Sequence, residues 1–176
     1  YFTPFISNRH MNSRERNDVL PEHNVGMYTV PQILTNKAEE FLSLAEQLAG
    51  YGYHEVNLNL GCPSGTVVAR NRGAGFLGTP RELETFLDEI FEKCPLKISI
   101  KTRIGMECPD EWAPLLKIYQ KFPMKELIIH PRLQKEGYKG TPHLEAFAEA
   151  VEALQCPLCY NCLLYTSDAA DDLLCV

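Results

Sequence analysis

Polar residues able to do chemistry recur at the ends of successive apolar runs in this chain. Gln32 lies near the end of Met27–Leu34, and Asn59 ends Glu55–Leu60 with Cys62 just beyond. Lys101 closes Leu96–Lys101 with Arg103 following, and His130 closes Glu126–His130 with Arg132 following. Each type suggests a task. Cys62 stands between Gly61 and Pro63, in a turn that exposes its thiol, whereas a purely structural cysteine is a small buried hydrophobe. A thiol that protonates a substrate must hold its proton at working pH, as free cysteine does at its ordinary pKa of ~8.5. An amine ending a buried strand, as at Lys101, is costly unless it meets an anion or strong acceptors. A histidine in the position of His130 serves as a structural hydrogen-bonding residue or as a ligand contact. The Gln32 amide both donates and accepts, which suits the edge of a heterocycle as well as a strand-end cap.

Those residues need elements to hold them. The four runs above, with Pro157–Asn161, read as five buried strands, and Tyr1–Ile6 is a possible sixth. Between them lie helix-period segments. In Asn36–Ala49 the apolar residues Phe41, Leu44, Ala45 and Leu48 share one face, with Asn36 as N-cap and Gly50 as the stop. Thr79, Pro80 and Glu82 predict a capping box with proline at the first helical position, followed by Leu83, Phe86, Leu87 and Ile90 on one face. A third helix is expected near Asp110–Phe122 through Trp112, Leu115 and Tyr119. A fourth, Pro142–Leu154, would bury Leu144, Phe147, Val151 and Leu154. Regular alternation of strand and helix predicts parallel strands joined by right-handed crossovers. An open doubly wound sheet and a (β/α)8 barrel both fit that pattern. Polar groups recurring at strand ends favour the barrel, whose sites are built at that mouth.

The bulk numbers set limits. At 176 residues the chain is short for a whole barrel of ~250 residues. No basic region precedes an apolar run at the N-terminus, and no apolar stretch approaches the ~20 residues of a membrane span, so a cytoplasmic protein is expected. Seven cysteines without a secretory signal read as reduced thiols. A net charge of −6 argues against a strongly basic nucleic-acid module, yet allows a local basic patch. Cys156, Cys159 and Cys162 have C-x2-C-x2-C spacing. Cys159 falls in an apolar strand, however, and no fourth ligand has matching spacing, so no metal is expected. Gly73-Ala74-Gly75 has neither dinucleotide nor Walker spacing and reads as a tight turn.

The segment Asn57–Ser64 (NLNLGCPS), followed by Gly73-Ala74-Gly75-Phe76-Leu77, resembles the signature of the tRNA-dihydrouridine synthases. Val30-Pro31-Gln32, Ile100-Lys101-Thr102-Arg103-Ile104-Gly105, His130-Pro131-Arg132 and Gly137-Tyr138 extend the likeness in order, from about Tyr1 to Asn161. The resemblance implies an FMN-dependent enzyme, with NADPH as reductant, that reduces uridine in tRNA to 5,6-dihydrouridine. It implies that Cys62 is the proton donor, that Gln32, Lys101 and His130 bind the flavin, and that Asn59 and Arg132 meet the target uracil. Arg70 and Arg72, in the loop after Cys62, are candidates for phosphate contacts on the tRNA.

The likeness stops after Asn161. Residues 1–161 read as a partial FMN-binding (β/α) barrel, about strands 2 to 7 of eight, and 162–176 as an unrelated, artefactual tail. The sequence is read as incomplete at both ends, and this exact chain is expected to retain FMN weakly or not at all. Two alternatives stand beside the leading reading: another FMN-dependent barrel oxidoreductase acting on a free pyrimidine or enone, and an inactive RNA-binding fragment.

Overall fold

The computed structural model describes residues 1–162, so the segment read above as an unrelated tail falls, apart from Cys162, outside the described residues. The elements in chain order are α1 (Ser13–Val19), β1 (Gln32–Ile33), α2 (Ala38–Gly50), β2 (Glu55–Leu60), α3 (Gly65–Val68), α4 (Pro80–Lys93), β3 (Lys97–Arg103), α5 (Trp112–Tyr119), β4 (Leu127–His130), α6 (Leu144–Ala153) and β5 (Leu158–Tyr160). All four strand pairings are parallel, and the strands lie side by side in chain order, β1-β2-β3-β4-β5. A doubly wound sheet reverses its strand order at a switch point. This one never reverses among the described residues, so it is a partial (β/α) barrel with helices outside.

The strands alternate, and the alternation decides what faces where. Asn57 and Asn59 of β2 pair with Ser99 and Lys101 of β3, and Arg103 pairs with His130 of β4. That face is polar. The out-of-phase residues Val56, Leu58, Leu60, Ile98, Ile100, Leu127 and Ile129 belong to the apolar core. Against them α4 buries Leu83, Phe86, Leu87 and Ile90, each at most 4% exposed, as its periodicity predicts. Burial at about 2 kcal/mol per side chain makes this one helix worth several kcal/mol of gross stabilisation.

Several expectations need correction. The strand expected over Met27–Leu34 shrinks to Gln32–Ile33, because Pro31 has no N–H to donate and Met27 and Tyr28 are exposed. Tyr1–Ile6 does run parallel to it, but only through bridges from Phe2 to Val30 and from Ile6 to Ile33. Between those bridges the Gln32 N–H donates to the Thr3 hydroxyl rather than to backbone. β3 runs two residues beyond its expected end, through Arg103.

Asn36 does not cap α2. Its amide donates to the Arg70 carbonyl, and Thr35 Oγ1 takes the Lys37 N–H instead. The Thr79 capping box is absent too: Asn71 Nδ2 donates to both Thr79 Oγ1 and Glu82 Oε2, and Pro80 alone marks the start of α4. Helix α5 is shorter than expected, with a 3-10 turn at Pro109–Glu111 before it. In α6 the buried residues are Ala146 and Ala150, while Leu144 and Val151 are more than half exposed. Helix α1 has no counterpart among the expected elements. It carries a complete capping box, with Asn12 accepting from Arg14 and Glu15 N–H and the Glu15 carboxylate accepting from Asn12 N–H.

Candidate active site

Six of the eight residues singled out by sequence line one cleft of about 670 Å³ at the carboxyl ends of the strands: Gln32, Asn59, Cys62, Lys101, His130 and Arg132. Arg103 and Tyr138 line it as well. That size is ordinary for a small-molecule or cofactor site. Arg70 and Arg72 lie elsewhere, in a depression shared with Arg9, Lys37 and Glu40. The Arg72 guanidinium is engaged there, with Nη1 donating to the Ser7 carbonyl and Nη2 to Glu40, both at 2.9 Å.

The turn that carries Cys62 has every backbone polar group satisfied. Gly61 and Cys62 N–H both donate to Asn59 Oδ1 at 3.0 Å. The carbonyls accept in sequence: Gly61 from Arg103 Nε at 2.9 Å, Cys62 from Ala74 N–H at 3.1 Å, and Pro63 from Gln134 Nε2 at 3.2 Å. Glycines let the next loop approach closely enough to do this. A Cβ on Gly73, whose φ is +56°, would stand 2.9 Å from the Cys62 carbonyl oxygen and 3.0 Å from Cys62 Cβ. The tight turn read from Gly73-Ala74-Gly75 is a 3-10 helix, Gly73–Gly78, packed against the thiol's own loop.

Below the turn, amides form a buried chain. Asn59 Nδ2 donates to Gln32 Oε1 at 2.7 Å, Gln32 Nε2 to Asn57 Oδ1 at 2.8 Å, and Asn57 Nδ2 to Ser99 Oγ at 3.0 Å. Asn59 therefore both builds the Cys62 turn and orients Gln32. Each of the two retains one amide N–H beyond these bonds.

The cleft is electropositive. Lys101, Arg103 and Arg132 line it, and among the described residues no carboxylate does. The Lys101 ammonium makes no hydrogen bond or ion pair among the described residues, and burial, followed by the Arg103 charge, lowers its pKa. Arg132 is 2% exposed, and its Nε has no partner among the described residues. Burial and the charges of Arg103, Lys101 and Arg132 push the His130 pKa down to about 4, so the imidazole is neutral at pH 7.

Arg103 and Tyr138 are the residues that sequence reasoning passed over as site groups. Arg103 is 1% exposed; Nη1 donates to the Leu133 and Gly137 carbonyls, and the guanidinium lies 5.4 Å from the centroid of the Tyr138 ring. The signal was present in the strand, since Arg103 is in phase with Ser99 and Lys101 on the polar face. Among the described residues, no group of three or more His, Cys, Asp or Glu could hold a metal ion, and no helix is long and apolar enough to cross a membrane. Cys156 packs against the core, whereas Cys162 accepts from Arg132 at the cleft.

A parallel sheet wound in one direction, with its polar groups gathered at the carboxyl ends, defines a partial (β/α) barrel with a cleft at the mouth. The dihydrouridine synthase (Dus) family model matches residues 1–174, and the chain belongs to that family. Similar proteins include a probable tRNA-dihydrouridine synthase of Staphylococcus epidermidis, 33% identical over 135 residues, covering 77% of this chain and 41% of the relative. Its Staphylococcus aureus counterpart is also 33% identical over 135 residues, covering 77% of this chain and 40% of the relative. A tRNA-dihydrouridine(16) synthase of Pseudomonas putida is 29% identical over 156 residues, covering 84% of this chain and 48% of the relative. The chain thus spans less than half the length of the curated relatives it matches.

Proposed function

We propose that this chain carries the catalytic cleft of an FMN-dependent tRNA-dihydrouridine synthase, with NADPH as reductant. The observation that carries the reading is the cleft itself: three cations and, among the described residues, no carboxylate around a half-buried thiol, in a chain whose net charge is −6. Lys101 fits a flavin ring, because a half-buried ammonium without a side-chain partner among the described residues calls for an anionic acceptor. Gln32 and His130 would hold the edge of the same ring. When bound, the flavin supplies hydride to the uracil ring.

The chain's own residues then have separable tasks. Asn59, Arg103, Ala74 and Gln134 fix the backbone of the Cys62 turn, so the thiol meets its target without reorganisation. Cys62 delivers the proton to C5 of the uracil. A neutral imidazole is a poor acid, which removes His130 from that role. The spare N–H of Asn59 is a donor for a uracil carbonyl, and Arg132 brings positive charge to the same edge of the ring. A uridine reaches such a cleft only by leaving its stack in the tRNA. In its separate depression Arg70 is exposed and available to a backbone phosphate, while Arg72 braces that depression through Glu40 and Ser7.

The test is the dihydrouridine content of tRNA, measured by mass spectrometry, in cells lacking the gene that encodes this chain. At least one position should lose the modification, and a gene carrying Cys62→Ala should not restore it. Unchanged dihydrouridine after deletion would refute the proposal.

A further inference from the structure

Arg132 Nη1 lies 3.2 Å from His130 Nε2, and a guanidinium can only donate. Nε2 must then offer a lone pair, which leaves the ring proton on Nδ1. We infer that Arg132 is a positioning residue that fixes His130 as the neutral Nδ1–H tautomer, so this wall of the cleft presents a hydrogen-bond donor and recognises an acceptor atom on the bound ring.

Arg132 cannot easily turn away to permit the other tautomer. Its Nη2 donates to the Gly140 carbonyl at 2.9 Å, Nη1 also donates to Cys162 Sγ at 3.0 Å, and its own N–H donates to the His130 carbonyl at 2.7 Å. An Nε2–H tautomer, or a charged imidazolium, would set two N–H groups against each other across that 3.2 Å. The surroundings agree from every side. Lys101 and Arg103 of β3 bring positive charge, the Tyr138 ring lies 5.8 Å away, and no carboxylate among the described residues lines the cleft to hold a second proton. Nδ1 has no hydrogen-bond partner among the described residues, so its proton is left for a ligand. That the ligand is a flavin ring rests on the function proposed above; the tautomer does not.

Ring-nitrogen NMR of the chain with 15N-labelled histidine tests this directly, with His130 assigned by its absence from a His130→Gln spectrum. The unsubstituted chain should show Nδ1 protonated and Nε2 unprotonated, unchanged from pH 8 down to pH 5. In Arg132→Gln the proton should pass in part to Nε2, and the ring should titrate at a higher pH. An Nε2–H signal in the unsubstituted chain, or a ring already charged at pH 6, would overturn the inference. So would a tautomer indifferent to Arg132→Gln. The first measurement needs no variant to fold. A gene product that forms dihydrouridine while His130 is Nε2–H would defeat this inference alone; one that forms none with His130 as Nδ1–H would defeat the proposed function alone.

Discussion

Replacing glycines by alanine tests whether the Cys62 turn owes its shape to close approach or merely to backbone freedom. Gly52, at φ +89°, would have nothing within 4 Å of an added Cβ, so Gly52→Ala costs only the left-handed conformation, about 1–2 kcal/mol. Gly75 has no positive φ, yet its Cβ would stand 2.8 Å from the Val68 carbonyl oxygen, an overpacking cost of about 1–3 kcal/mol. Gly73 combines both, with φ +56° and contacts of 2.9 Å to the Cys62 carbonyl oxygen and to Val67 Cγ1. Gly73→Ala should therefore cost about 2–5 kcal/mol, a large share of the roughly 5–15 kcal/mol that a domain has. At roughly 2 kcal/mol per molar urea, the midpoint should fall by about 0.5–1 M for Gly52→Ala and about 1–2.5 M for Gly73→Ala. Alkylation of Cys62 by iodoacetamide, followed on its peptide by mass spectrometry, reports the site separately. Gly73→Ala should change that rate and Gly52→Ala should not. If Gly73→Ala costs no more than Gly52→Ala and leaves alkylation unaltered, the packing argument for the turn is wrong.

Two histidines should tilt stability with pH in opposite directions. The folded pKa of His130, about 4, lies below the ordinary 6.5, so stability is full above pH 6.5, declines as pH falls, and this contribution is gone below about 4. His143 is raised by its hydrogen bond to Glu136 and by Glu145, so its contribution is full below pH 6.5 and fades as pH rises through the raised value. Urea midpoints against pH should flatten on the acid side in His130→Gln and on the alkaline side in His143→Gln; the reverse pattern would contradict both assignments. Thr102 Oγ1 donates to the Arg103 carbonyl and accepts from the fully buried Tyr119 hydroxyl at 2.9 Å. Thr102→Val should cost about 1–3 kcal/mol in urea unfolding by stranding that hydroxyl, and a neutral substitution would mean that water replaces the partner.

Long apolar periodicity was legible in the sequence, and it is what the structure uses in α2 and α4. The polar strand ends were legible as well, and six of the eight singled-out residues share a cleft. Short-range signals misled where a tertiary partner displaced them. Thr79 and Glu82 have the spacing of a capping box, but Asn71 reaches both. Of the face expected for the fourth helix, Phe147 and Leu154 do pack on the core, but Leu144 and Val151 are exposed and Ala146 and Ala150 are buried in their place. Helix α1 escaped notice because its strong cap precedes no apolar run. Arg103 was legible as a polar strand end, but its bracing role, like that of Gln134, was not: their partners are carbonyl oxygens, which sequence does not display.

The satisfied turn at Cys62 also has a history during synthesis. Asn59 and Ala74 are made close to it, but Arg103 and Gln134 lie 42 and 71 residues from the carbonyls they hold. At a ribosomal pace of ~5–20 residues per second, the last donor follows by roughly 4–14 s. Until the fourth strand's loop has docked, the nascent thiol lacks its final brace. Through that interval oxidants and neighbouring cysteines have freer access to it than in the finished molecule.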